Sequence, residues 1–176
     1  NTSNLLVTDA NGCIFKDQAV VPNTGSPSVT AGFNVVTCFN GSDGIAFAQG
    51  SGGTPPYSFS WDNGMNGDTI TGLPIGTYTV TITDSQGCFD TDQTTVTEPT
   101  QVITTPVDDS TLCIGQTFQT TLNAQGGNGS PYTYEVNGVT IPANTFSTDQ
   151  PGTYTVMSYD PKGCNSPLIS FEVIYR

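Results

Sequence analysis

One motif recurs along this chain at a fixed spacing. Leu73-Pro-Ile-Gly-Thr-Tyr-Thr-Val-Thr-Ile-Thr-Asp-Ser-Gln-Gly-Cys88 has a near copy at Pro151-Gly-Thr-Tyr-Thr-Val-Met-Ser-Tyr-Asp-Pro-Lys-Gly-Cys164. A partial copy stands at Leu6-Val-Thr-Asp-Ala-Asn-Gly-Cys13. Cys13 and Cys88 are 75 residues apart, and Cys88 and Cys164 are 76 apart. A constant period of this length denotes tandem small domains rather than one fold over the whole chain. The expected division is a C-terminal remnant of a preceding repeat plus linker at 1–27, a complete repeat at 28–99 and a diverged one at 100–176.

A domain of about 75 residues buries only a marginal core, so a covalent staple is expected. Cys38 to Cys88 spans 50 residues and Cys113 to Cys164 spans 51. The equal spans point to one disulfide per repeat, Cys38–Cys88 and Cys113–Cys164, each stabilising by about 4 kcal/mol in the chain-entropy model. Cys13 matches Cys88 and Cys164, so its partner is expected upstream of residue 1. With no Cys-x-x-Cys pair and no histidine, zinc ligation and thioredoxin-type chemistry are disfavoured. The cysteines imply an oxidising compartment, at the cell surface or beyond.

Within the complete repeat, apolar residues alternate with polar ones as strands require. The expected strands are Phe33–Thr37, Ile45–Gln49, Tyr57–Trp61, Asp68–Thr71, Gly76–Thr83 and Thr91–Thr97, separated by Gly, Pro and Asn-Gly turns. About seven short strands at this spacing specify an antiparallel β-sandwich. Gly76-Thr-Tyr78 and Gly152-Thr-Tyr154 resemble the tyrosine corner of immunoglobulin-like sandwiches, whose hydroxyl bonds back to the preceding connection. Val80 and Ile82 then face the core, while Thr77, Thr79, Thr81 and Thr83 face solvent. Tyr57, Phe59 and Trp61 share one face, with Trp61 as the central core aromatic. Val136 takes the place of Trp61 in the second repeat, whose core must therefore pack differently. At the N-terminus, strands are expected at Leu5–Thr8 and Cys13–Val21, followed by linker chemistry at Pro22–Pro27. Aligning Asp9 with Asp84 puts Ser3 where the other copies have Tyr78 and Tyr154, so the remnant belongs to a divergent repeat.

Five motifs fall in order: Cys38-Phe-Asn-Gly-Ser-Asp-Gly44, Gly52-Gly-Thr-Pro-Pro-Tyr-Ser-Phe-Ser-Trp61, Asn63-Gly, Leu73-Pro-Ile-Gly-Thr-Tyr78 and Asp84-Ser-Gln-Gly-Cys88. Together they resemble the SprB-type repeat of very large surface adhesins in gliding Bacteroidetes. The match is dense over 38–99; residues 100–176 look like a diverged relative, lacking the Trp and the Asn-Gly-Ser-Asp-Gly motif. The resemblance implies tandem immunoglobulin-like, all-β spacer domains in a secreted filament. It further implies export by the type IX secretion system, movement by the gliding machinery and contact with a substratum. It carries no catalytic residues.

Charge agrees with such a role and narrows the rest. Fifteen acidic residues against three basic ones give a net −12. Lys16, Lys162 and Arg176 cannot neutralise a phosphate backbone, so nucleic acid and anionic membranes are poor partners. No apolar run reaches the roughly 20 residues of a spanning helix, so no membrane insertion is expected. Without a histidine the usual general base is missing, and no enzyme is expected. No cofactor is implied except calcium, for which Asp43, Asp84, Asp90 and Asp92 could gather across a Cys38–Cys88 bond. Asp108, Asp109 and Asp160 could do the same across Cys113–Cys164. The resemblance also implies O-glycosylation where Asp is followed by Ser or Thr and then a small or aliphatic residue, with Thr69 in Asp68-Thr-Ile70 and Ser110 in Asp109-Ser-Thr111 as candidate acceptors. Asn1-Thr-Ser3, Asn40-Gly-Ser42 and Asn128-Gly-Ser130 fit the N-linked sequon, a modification not expected in a bacterial protein.

Two other readings stay open. The sandwiches could themselves be carbohydrate-binding modules that grip surface polysaccharide through an exposed aromatic face. Burial of Tyr57, Phe59 and Trp61 would favour the spacer, and their display the binder. Alternatively, the N-terminal strands could complete a sandwich in a neighbouring molecule.

Overall fold

The computed structural model describes residues 2–20 and 25–176. Its regular elements are all strands, and no helix occurs among the described residues. A hairpin of β1 (Thr2–Thr8) and β2 (Ile14–Val20) opens the chain. The first copy contributes β3 (Pro27–Asn34), β4 (Gly44–Gly52), β5 (Ser58–Trp61), β6 (Thr69–Leu73), β7 (Gly76–Thr83) and β8 (Phe89–Val96). The second copy begins with β9 (Thr100–Thr104), β10 (Ser110–Leu112), β11 (Phe118–Thr121), β12 (Ala124–Gly127) and β13 (Thr133–Val136). It closes with β14 (Val139–Ile141), β15 (Thr145–Thr148), β16 (Gly152–Tyr159) and β17 (Ile169–Tyr175). Val21 of the expected second strand, residues 22–24 of the expected linker and Asn1 of the first sequon lie outside the described residues.

The first copy forms two three-stranded sheets, β3-β4-β6 and β5-β7-β8. The second forms a five-stranded sheet, β10-β17-β16-β13-β14, and two pairs, β11-β15 and β9-β12. The fold is an all-β architecture of sandwiched sheets. The chain divides into two compact units: Asn1–Ala31, Ala48–Asp68 and Thr79–Gln93, and Gly32–Phe47, Thr69–Tyr78 and Thr94–Arg176.

In the first unit, Trp61, Val80 and Ile82 form the buried centre, at 4 %, 0 % and 0 % exposure. The Trp61 indole N–H donates to the Gly67 carbonyl at 2.9 Å, so the ring is buried without an orphaned donor. Gly50 packs under the same group: a Cβ there would stand 2.2 Å from Ile82 Cδ1 and 3.3 Å from both Phe59 Cζ and Tyr57 Cδ2. In the second unit, Phe118, Leu122, Tyr134, Val136, Val156, Phe171 and Val173 form one cluster. Val136 leaves less volume filled than a Trp would, and aromatics from other strands make up the difference. Phe146 and Tyr154 rings lie 5.1 Å apart, Tyr154 and Phe171 5.5 Å, and Phe118 and Phe171 5.3 Å.

Two strand expectations need correction. The first strand was placed at Phe33–Thr37, but β3 runs Pro27–Asn34. Carboxylates anchor it there: Asp90 accepts the Val29 N–H at 3.0 Å and Asp92 the Ala31 N–H at 2.8 Å. Such side-chain acceptors on the ladder leave no periodic apolar signal. The sandwich is also not purely antiparallel, because β10 runs parallel to β17. Pro106 lacks the N–H needed to continue the β9 ladder. The chain leaves β9, which pairs with β12, and joins the other sheet as β10.

Candidate functional site: the cysteine turns and the Cys38–Cys164 bond

The motif Asp-x-x-Gly-Cys builds one turn three times. Asp160 Oδ1 accepts the N–H groups of Lys162 and Cys164 at 2.9 and 3.0 Å, and the Asp160 N–H donates to the Cys164 carbonyl at 3.0 Å. Asp84 does the same with Gln86 and Cys88, both at 2.9 Å, and Asp9 with Asn11 and Cys13, both at 2.9 Å. The residue before each cysteine has φ near the left-handed region, +83° at Gly12, +80° at Gly87 and +84° at Gly163, which is why Gly is required there. The second carboxylate oxygen reaches a distant loop. Asp84 Oδ2 accepts the Thr54 N–H at 3.0 Å; Asp160 Oδ2 accepts the Asn128 N–H at 2.7 Å and its Nδ2 amide at 2.8 Å.

These bonds hold both carboxyls in the charged form. The Thr54 N–H keeps Asp84 below the ordinary carboxylate range against the opposing effect of burial. At Asp160 burial is the larger single influence and works against the charge. The N–H groups of Asn128, Cys164 and Lys162 outweigh it and hold that carboxyl low as well.

The turns expose or engage their cysteines differently. Cys164 is bonded to Cys38, with a Cα–Cα distance of 5.4 Å, while Cys13, Cys88 and Cys113 are free and exposed. The expected pairs Cys38–Cys88 and Cys113–Cys164 are therefore corrected. Strand order in the second copy supplies the reason. Leu112 of β10 stands opposite Tyr175, the last residue of β17, and accepts the Arg176 N–H at 2.9 Å. Cys113 thus lies at the far end of β17, whereas Cys164 lies in the turn that precedes it. Seven strand residues at about 3.3 Å each separate them, far beyond the roughly 7 Å limit for a disulfide.

Cys38 sits in a parallel setting. The Val36 N–H donates to the Thr97 carbonyl at 2.9 Å, just past the end of β8, and the Asn40 N–H to Glu98 at 2.5 Å. Asp43 accepts the Thr37 N–H at 2.9 Å, and hydrogen bonding from Thr37 holds its carboxyl below the ordinary range. The Thr37 carbonyl accepts Asn128 Nδ2 at 3.0 Å and touches Cys164 Sγ at 3.3 Å. Phe39, Asn40, Gln101, Val102, Gly163 and Asn165 line a cleft beside the bond.

The proposed calcium donors are apportioned to backbone N–H groups. Besides the Asp84 and Asp160 turns and the Asp43 contact, Asp90 and Asp92 anchor β3, and Asp109 accepts the Glu172 N–H at 2.6 Å. Asp109 therefore lies beside β17 instead of meeting Asp160 as expected, and Asp108 is exposed. Among the described residues no three His, Cys, Asp or Glu side chains gather in a metal-holding group. Thr69 is exposed at the start of β6, and Ser110 is half-buried in β10.

Both corner tyrosines bond four residues back, Tyr78 Oη to the Pro74 carbonyl at 3.0 Å and Tyr154 Oη to Gln150 at 2.9 Å. A second tyrosine bond was missed by the sequence reading. Tyr132 Oη donates to the Gly126 carbonyl at 2.7 Å, and Tyr57 Oη likewise to Gly52. Each follows a cis X-Pro bond, Pro55-Pro56 and Ser130-Pro131. The repeated Gly-Gly…Pro-Tyr spacing was the signal. Of the aromatic face, Trp61 is buried and Tyr57 and Phe59 are half-buried.

Solved structures with similar coordinates include Clostridium thermocellum CbhA fibronectin(III)-like modules, at 19% identity, covering 85% of this chain and 94% of that one, TM-score 0.35. The titin I-band fragment I67-I69 is similar at 14% identity, covering 86% and 66%, TM-score 0.44. DIP-gamma IG1+IG2 is similar at 10% identity, covering 87% and 99%, TM-score 0.45. No curated protein matches the chain. The family model described as the SprB repeat matches residues 35–66, the stretch from Cys38 through the buried Trp61, consistent with a SprB-type repeat in the first copy.

Proposed function

We propose that this chain is a run of structural spacer repeats in a large secreted adhesin filament on the outer face of the cell. The filament is exported by the type IX system of a Bacteroidetes cell and serves attachment and gliding. The coarser part, a structural repeat domain of a cell-surface protein, agrees with the SprB repeat match at 35–66 and with the sandwich fold. The observation that favours the spacer reading over the polysaccharide-binding one is the burial of Trp61, only 4 % exposed, with Tyr57 and Phe59 half-buried on the same face. A sugar-binding platform needs its aromatic rings in solvent. Two accessory features belong to the same proposal: O-glycosylation, for which exposed Thr69 is better placed than half-buried Ser110, and calcium bound at repeat junctions.

The test pairs a binding assay with localisation. Antibody against the chain should label intact cells of the source organism and follow their moving surface. Titration of the recombinant chain with cell-wall and capsular polysaccharides should give no saturable heat. Saturable binding abolished by Trp61→Ala, in a variant that keeps its β-sheet spectrum, would replace the spacer reading with the binding one.

A further inference from the structure

We propose that disulfides in this array run between successive repeats, joining the first cysteine of each repeat to the second cysteine of the next. The inference rests on the array reading above and adds its bonding pattern. By period, Cys38 and Cys113 are the first cysteines of two successive copies, and Cys88 and Cys164 are the second. The bond present, Cys38–Cys164, is therefore already of this type. In the second copy the two cysteines stand at opposite ends of β17, so a bond within the repeat is out of reach while bonds to neighbours on either side are not.

The free cysteines look like halves of the same junction. Each is followed by a large apolar residue left in solvent: Ile14 at 59 % exposure, Phe89 at 68 % and Ile114 at 87 %. Phe39, in the position of Ile114, lines the cleft beside the formed bond and is 40 % exposed. The geometry assigns Cys113 and Ile114 to the Asp-x-x-Gly-Cys turn of a following repeat. Cys88 and Phe89 receive the first-cysteine turn of a preceding one. Cys13 takes the same role one repeat earlier. Each bond forms by thiol–disulfide exchange with an oxidised dithiol carrier of the export compartment. Two thiols give up two protons and two electrons, and the carrier's disulfide is reduced to two thiols.

Two measurements test this separately from the array. Recombinant chain, blocked with N-ethylmaleimide and digested without reduction, should yield a Cys38–Cys164 linked peptide and adducts on Cys13, Cys88 and Cys113. Linked peptides Cys38–Cys88 or Cys113–Cys164 would overturn the bonding pattern whatever the parent's length. Protein taken from native cells and blocked before lysis should show no adduct on Cys88 or Cys113. Each should instead be linked to a cysteine peptide from outside residues 1–176. Adducts at either position in a parent whose intact mass exceeds that of this sequence would overturn the bonding pattern with the array reading intact. An intact mass matching these 176 residues alone would sink the array reading itself.

Discussion

The turns at Cys88 and Cys164 are the same turn built twice, yet one cysteine is exposed and free and the other is 5 % exposed and bonded. Carboxylate, left-handed glycine and the bond to a Gly-Gly loop agree between them within a few tenths of an ångström. The state of the thiol is thus no property of its own turn. It depends on whether a first-cysteine segment reaches it, as the Thr37–Cys38 segment reaches Cys164.

The cores teach a second difference. Val29, Ile82 and Asp90 of the first copy correspond by period to Thr104, Ser158 and Ser166 of the second. Those three hydroxyls are buried and close on one another: Thr104 Oγ1 lies 2.7 Å from both Ser158 and Ser166 Oγ, and the Ser158 N–H donates to Ser166 at 3.0 Å. A buried polar cluster is tolerable only when fully paired, as this one is. The Val29 and Ile82 positions thus serve an apolar core in the first copy, and their equivalents Thr104 and Ser158 a hydrogen-bonded one in the second.

Breaking the turn comparison has the largest expected effect. Cys38→Ser or Cys164→Ser opens a 126-residue loop and should lower unfolding free energy in guanidinium chloride by about 5 kcal/mol in the chain-entropy model. Cys88→Ser and Cys113→Ser should leave the isolated chain's midpoint unchanged. Next comes the core: Trp61→Ala should cost roughly 4 kcal/mol through lost burial and the cavity left behind, read as a fall in denaturation midpoint. Tyr78→Phe removes one hydroxyl bond, to the Pro74 carbonyl, and should cost about 1 kcal/mol, whereas Tyr154→Phe removes two, to the Gln150 carbonyl and Thr148 Oγ1, and should cost about 2 kcal/mol. Equal losses would show that the Thr148 contact adds nothing to the second corner.

The pH dependence is the finest probe. Asp84 and Asp160 have depressed values in the folded state, so their contribution is present above the unfolded value of about 4 and is lost as pH falls through the folded one. The melting temperature should hold near neutrality and drop below about pH 4. Asp84→Asn and Asp160→Asn should each flatten that drop, and an unchanged acid limb would deny the carboxylates this role.

Local features were readable from the residues. Strand alternation placed β7 over Gly76–Thr83 and set Val80 and Ile82 inward, because the information lies within eight residues. The disulfide was not readable, for a reason peculiar to repeats. Equivalent landmarks in tandem copies are equally spaced whatever bonds to what, so spans of 50 and 51 residues carried no pairing information. Choosing the partner required the parallel β10–β17 pairing, a contact between residues about 63 apart that no local pattern encodes. The cysteine turn itself was legible as a turn. The N–H groups that reach its second oxygen come from Thr54 and Asn128, 30 and 32 residues away, and no local pattern announces them.

The bond from Cys38 to Cys164 also decides what happens when the chain is pulled from its ends. Tension entering at residue 38 crosses the sulfur bridge to residue 164 and bypasses the 126-residue loop between them. Fully extended, that loop would add roughly 400 Å of contour length, which stays locked away while the bridge is oxidised. In a single-molecule stretch, reductant should release that hidden length.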